Sequence, residues 1–136
     1  MRIAIPLVVS IAISSQAAIA DIKRHASVPE ALQGSWATSA DACKSADKSA
    51  VALAGKTYAG PTGNCTVMWV SETAGPRGAI YSARLRCPDE RAQQKWSESN
   101  LVIRPDDTNQ ISVGPDFGGL KTYQRCRTTE KTDRGI

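Results

Sequence analysis

The side chains best suited to covalent chemistry in this chain are four cysteines, Cys43, Cys65, Cys87 and Cys126, separated by 22, 22 and 39 positions. The set is even, contains no C-x-x-C pair, and the single histidine, His25, lies apart in a polar N-terminal stretch, so the spacing is not that of a zinc site. The chemistry it does suit is oxidation to two disulfides in an oxidising compartment. No metal and no other cofactor is expected. Catalytic material is thin, with no G-x-S-x-G, no phosphate-binding glycine loop and no thiol left over once both bridges form. The paired carboxylates Asp89-Glu90 and Asp106-Asp107 fall among turn formers, where acids serve solubility and local hydrogen bonding rather than glycosidase-type acid/base work. No catalytic residue is assigned, and a non-enzymatic role is expected.

Contact chemistry has more to draw on. Arg84, Arg86, Arg91 and Lys95 cluster in sequence, and Arg125 and Arg127 form a second basic pair, a distribution that suits an acidic surface or an anionic polymer of the cell envelope. Solvated strand faces account for the same residues. The formal charge of +4, from 17 basic and 13 acidic side chains, is too mild to require a nucleic-acid partner. Trp96 and Glu98 have the opposite parity to Leu101 and Ile103, which turns Trp96 away from the aliphatic face of its strand. An exposed indole beside arginines is a contact candidate, so Trp96, Arg84 and Arg86 are the expected binding residues. The alternative is a Trp covering an open barrel end.

These residues reach an oxidising compartment only if the chain is exported. Arg2, the apolar run Ile3 to Ile13 and Ala18-Ile19-Ala20 before Asp21 have the form of a cleaved signal peptide over residues 1–20, cut after Ala20. The run gives way at Ser14-Ser15-Gln16, short of the roughly twenty apolar residues that span a bilayer. A periplasmic or secreted protein without an integral membrane segment follows. The remaining 116 residues make one domain, expected as a monomer.

Residues 21–28 are short, polar and unpatterned, and read as a flexible lead. Residues 29–127 then break into short runs separated by turn formers, the pattern of an all-β domain, and the charged tail 128–136 reads as disordered. The expected fold is a small antiparallel up-and-down β-barrel, or a strongly curved sheet, of about seven strands with two disulfides. A hairpin centred on Pro76 would set Val67 against Leu85, Trp69 against Ala83 and Ser71 against Tyr81, placing Trp69 on the buried face with Cys65 and Cys87. A second hairpin centred near Asp107 would set Leu101 against Val113 and Ile103 against Ile111. The stretch Val51 to Tyr58 is taken as one strand kinked at Gly55. Strand directions in such a meander favour nested bridges, Cys43 with Cys126 and Cys65 with Cys87. One miscounted strand would instead favour Cys43 with Cys65 and Cys87 with Cys126.

Gly34-Ser35-Trp36 resembles the G-x-W signature that begins lipocalin-type barrels and the small periplasmic barrels similar to bacterial metalloprotease inhibitors. That resemblance implies that Trp36 closes one barrel end and that Arg125, within Tyr123-Gln124-Arg125-Cys126, stacks on it as a cation–π cover. The chain is shorter than a lipocalin, has none of that family's other signatures, and has a different cysteine arrangement. From Trp36 to Cys126 it also resembles small uncharacterised secreted proteins of alphaproteobacteria, through Tyr58, Pro61, Cys65 and the final Tyr-x-Arg-Cys, a likeness that implies no activity.

Two function classes fit these expectations. One is a binding or inhibitory module that presents its loops, or the free lead inserted as a terminal strand, to an unknown protein or envelope component. The other is a carrier holding an apolar molecule between Trp69, Leu85, Ile103 and Ile111. So few strands predict an interior filled by side chains, which disfavours the carrier. A void of several hundred Å3 would favour it.

Overall fold

The structure, a computed structural model, describes residues 9, 11, 22–44, 50–61 and 63–126. The expected leader, save residues 9 and 11, and the expected tail lie outside these. Among the described residues no helix is long and apolar enough to cross a membrane.

The strands are β1 (Ile22–His25), β2 (Gly34–Ala37), β3 (Val51–Leu53), β4 (Thr57–Gly60), β5 (Gly63–Gly75), β6 (Gly78–Pro88), β7 (Trp96–Asp107), β8 (Gln110–Gly114) and β9 (Lys121–Arg125). One short helix, α1 (Ala40–Lys44), and two 3-10 turns, Glu30–Leu32 and Phe117–Gly119, complete the described elements. Each strand from β2 to β9 pairs antiparallel with the next, and β9 returns to β2 through Trp36↔Arg125 and Ala37↔Gln124. The result is a closed barrel of eight strands with β1 outside it. Closure leaves the ladder without a free edge around the barrel.

The count exceeds the expected seven for two reasons. Val51 to Tyr58 is not one kinked strand: the Ala54 N–H donates to the Thr57 carbonyl at 2.9 Å, and this turn divides it into β3 and β4. The lead is not free either. Residues Ile22 to His25 pair with Thr73 to Val70 of β5, on the stretch that lies beyond β4's pairing with residues 63–66. The expected flexible segment 21–28 is thus an ordered strand over Ile22–His25, because the long β5 offers it unsatisfied backbone groups.

The β5–β6 hairpin carries the most consequential correction. Gly75 pairs with Gly78 around a two-residue turn, Pro76-Arg77, and Gly78 takes a φ of +124° that favours glycine. The turn and the Cys65–Cys87 bridge impose registers one residue apart, since β5 has one more residue between its two constraints than β6. A bulge between Val67 and Trp69 absorbs the difference. Val67 faces Leu85 as expected, but Trp69 pairs with Arg84 rather than Ala83, and Ser71 with Ser82 rather than Tyr81. Val70 therefore points into the core and Trp69 points out. In the β7–β8 hairpin, Ile103 pairs with Val113 and Pro105 with Ile111. This shift moves the pairing by two positions in all, so Leu101, Ile103, Ile111 and Val113 all keep the inward facing expected of them.

One barrel end is solid. Trp36 is fully buried and donates its indole N–H to the Leu32 carbonyl at 3.0 Å, while Leu32 and Val28 fill the space beneath the strap of residues 26–33. Arg125 lies 4.2 Å over the Trp36 ring and donates to the carbonyls of Gln33 (2.8 Å), Ala31 (2.7 Å) and Thr108 (3.2 Å). Gly34 sits at φ +132°, and a Cβ there would meet the Arg125 guanidinium. The glycine of the G-x-W sequence is thus required both by its backbone conformation and by the arginine packed on it.

Both disulfides form in the nested arrangement. Cys65 and Cys87, 4.3 Å apart at Cα, stand one step past the Thr66↔Arg86 pair of β5 and β6. Cys43 reaches Cys126 with a Cα separation of 5.5 Å because α1 packs back on β2, whose Ser35 carbonyl accepts from the Cys126 N–H. The pairing matches the expectation, but its route does not. With eight strands β2 ends on the side of Cys65 and Cys87, and it is α1 that carries Cys43 back to Cys126.

Candidate functional site

The other barrel end is open. Inward positions near it carry small side chains where the opposite end carries large ones: on β6 and β7 the facing pairs are Leu85↔Ser99 and Cys87↔Ser97. Cys87 is committed to its bridge and lies 3.6 Å from the Ser99 hydroxyl, so no bulky side chain fills this layer. A cavity of about 570 Å3 results. Leu85, Leu101 and Val113 form its apolar floor, and Ser97, Ser99, Asn100, Asp89 and Lys121 stand among its polar groups. Side chains fill the interior around Ile103 and Ile111, and the barrel is open only at this mouth, where serine and cysteine occupy three inward positions.

Two tyrosines complete the wall. Tyr58 of β4 and Tyr123 of β9 are almost wholly buried along their rings. Tyr58 folds over Gly60, where a Cβ would overlap its hydroxyl and ring, so glycine at that position makes room for the phenol. Among the described residues neither hydroxyl bonds to a protein group and no buried side-chain N or O is left unpartnered, and both tyrosines line the cavity. Burial raises the Tyr58 pKa above the usual phenol value, and repulsion from a charged Tyr123 raises it further; burial alone raises Tyr123. The pair stays neutral and hydrogen-bonding well past neutral pH. The cavity therefore offers an apolar floor ringed by hydroxyls, an amide, one cation and one carboxylate.

The residues expected to bind are elsewhere. Arg84, Arg86 and Trp96 lie together on the outer face of β6 and β7, where Arg86 stacks 4.0 Å over the Trp96 ring. Arg84 donates to Glu98 and, at 3.1 Å, to Asn100. Trp69, expected inside, joins this face through the bulge, with Arg24 of β1 lying 5.2 Å over its ring. Of the residues expected to hold a carried molecule, only Leu85 lines the cavity. Ile103 and Ile111 are buried in the solid half and Trp69 is outside. The alternation of Ser97 and Ser99 with the parity of Leu101 was the signal in sequence for an open layer.

Comparison with protein-family models, with curated proteins and with solved structures gives no significant match to the chain.

A second polar group forms at the far end of β5. His25 Nε2 lies 2.9 Å from a Glu72 carboxylate oxygen, and burial together with Glu72 raises the Tyr81 phenol pKa. This cluster ties β1 to the barrel, and it shows that the single histidine is part of the folded domain rather than of a free lead. The acidic turns behave as turn chemistry suggests. Asp89 accepts from the Arg91 N–H at 3.0 Å and Asp107 from the Asn109 N–H at 2.7 Å. Asp106 is partly desolvated, but hydrogen bonds from Ser112 and Arg104 outweigh that and lower its pKa.

Proposed function

We propose that this chain is an exported, non-enzymatic binding protein whose barrel mouth holds a small ligand with an apolar body and a hydrogen-bonding end. The observation that carries the reading is the 570 Å3 cavity, whose size lies within the roughly 300 to 1,000 Å3 of small-molecule pockets. The apolar body would lie on Leu85, Leu101 and Val113, and the polar end would meet the Tyr58 and Tyr123 hydroxyls, Ser99 or Lys121. Export to the periplasm or beyond, with cleavage after Ala20, belongs to the same reading. Its supports are the leader pattern and two disulfides. The strand-insertion form of the inhibitory alternative needs a free N-terminal strand, and Ile22–His25 is instead paired on β5.

Titration with the apolar dye Nile red tests the proposal. Saturable fluorescence enhancement at one dye per chain is expected, and Ser99→Trp, which fills the open layer, should weaken it about tenfold or more. Absence of saturable binding by the native protein, or full binding by a folded Ser99→Trp variant, would overturn the reading.

A further inference from the structure

The outer face of β1, β5, β6 and β7 is built as an aromatic and basic surface. Register places its residues in rows: Arg24, Ser71 and Ser82 in one, Trp69, Arg84 and Asn100 in the next, then Arg86 with Glu98, then Trp96 beside Pro88. A depression of about 320 Å3 lies between Trp69, Ser71, Ser82, Arg84, Glu98 and Asn100. It is flanked by the Arg24–Trp69 stack on one side and the Arg86–Trp96 stack on the other. This surface lies on the outside of the barrel, and of its lining residues only Asn100 also borders the mouth cavity.

The arginines differ in what occupies them. Arg84 is paired with Glu98 and Asn100, whereas Arg24 and Arg86 form no ion pair among the described residues. A guanidinium held over an indole face still has N–H groups with which to bond a carboxylate. Stacking fixes these groups in place before any partner arrives. Between them the floor carries the Ser71 and Ser82 hydroxyls, the Asn100 amide and the mutually paired Arg84 and Glu98, whose carboxylate is an acceptor.

We infer that this face binds an acidic polysaccharide whose carboxylates are spaced by neutral, hydroxyl-bearing sugar units. Charge complementarity selects an anionic partner, and the density of charge selects which anion. Nucleic acid carries a phosphate every few ångströms and is held by many cations, about six to ten phosphate contacts in a typical protein complex. Among the described residues this face offers two arginines without an ion pair and sets a carboxylate among its hydrogen-bonding groups, which repels a closely charged strand but accepts from sugar hydroxyls. The exposed parts of Trp69 and Trp96 give the apolar faces of sugar rings a surface to lie on.

Oligosaccharides of hyaluronan, in which each glucuronate is separated from the next by a neutral N-acetylglucosamine unit, are the probe that tests this, followed by heteronuclear NMR of the native protein. Saturable binding that weakens with salt is expected, with shifts at the Trp69 and Trp96 indole N–H signals and none at Trp36. Replacing both unpaired cations, Arg24→Gln with Arg86→Gln, should weaken binding about tenfold or more while Nile red binding in the cavity is unchanged. Equal binding of neutral dextran, or tighter binding of single-stranded DNA or of anionic lipid vesicles, would overturn the assignment. So would shifts confined to other residues in the native protein, a result that needs no variant to fold.

Discussion

Arg125 concentrates more interactions than any other described side chain, and each closes the solid end of the barrel. It covers Trp36 and donates to three carbonyls, two of them in the strap that precedes β2. Hydrogen bonds from a charged donor contribute more than neutral ones, so Arg125→Leu should cost about 2 to 4 kcal/mol in urea unfolding, and Arg125→Lys should recover only part of it. At the open end the tyrosines give a pH signature. The folded state raises the pKa of Tyr58 and Tyr123, so it holds their protons more tightly than the unfolded chain does. Their contribution is fully present below the unfolded phenol pKa of about 10 and is lost as pH rises through the raised folded values. Tyr123→Phe should therefore flatten the fall of the urea midpoint above pH ~10 relative to the native protein. An unchanged slope would show that the phenols do not sense burial in the folded state.

At the scale of the element, the β5–β6 hairpin is governed by two constraints that disagree by one residue, the Pro76-Arg77 turn and the Cys65–Cys87 bridge. Deleting Met68, the extra residue at the bulge, should leave both constraints satisfied and both facings intact. Deleting Ser82 doubles the mismatch, so turn or bridge must yield. Thiol titration and urea midpoints should show a fully oxidised, folded Met68 deletion and a Ser82 deletion with free thiols or a markedly lower midpoint. The same hairpin shows what sequence reading could and could not reach. Alternation identified Val67, Leu85, Leu101, Ile103, Ile111 and Val113 as core, because inward facing survives a register shift of two. Trp69 was misplaced because parity was counted through a bulge, although the unequal arms between turn and cysteines encode it. Strand β1 has no such local signal. Ile22 to His25 becomes a strand only because distant β5 extends past β4. The face of Arg84, Arg86 and Trp96 was legible from parity, whereas its junction with Trp69 and Arg24 depended on both features that local pattern does not reveal.

Across the whole molecule the decisive contact is the seam where β9 meets β2, since every other barrel pairing joins strands adjacent in sequence. Such long-range closure costs loop entropy before any pairing compensates. Cys43–Cys126 spans 83 residues and holds the chain together beside that seam, while Cys65–Cys87 spans 22 within a hairpin whose turn already brings its strands together. In the chain-entropy model the longer bridge contributes between about 4 and 5 kcal/mol and the shorter roughly 3, if each acted alone. The double variant Cys43→Ser with Cys126→Ser should thus lose more stability than Cys65→Ser with Cys87→Ser. It should also lose it at a definite place, with amide exchange rising first at Trp36, Ala37, Gln124 and Arg125. The Cys65→Ser with Cys87→Ser variant should keep a closed seam but loosen the wall of the mouth, weakening Nile red more than the hyaluronan oligosaccharide. A reversed order of stability, or early exchange spread evenly around the barrel, would mean that the seam is held by its own pairing and by Arg125 rather than by the bridge beside it.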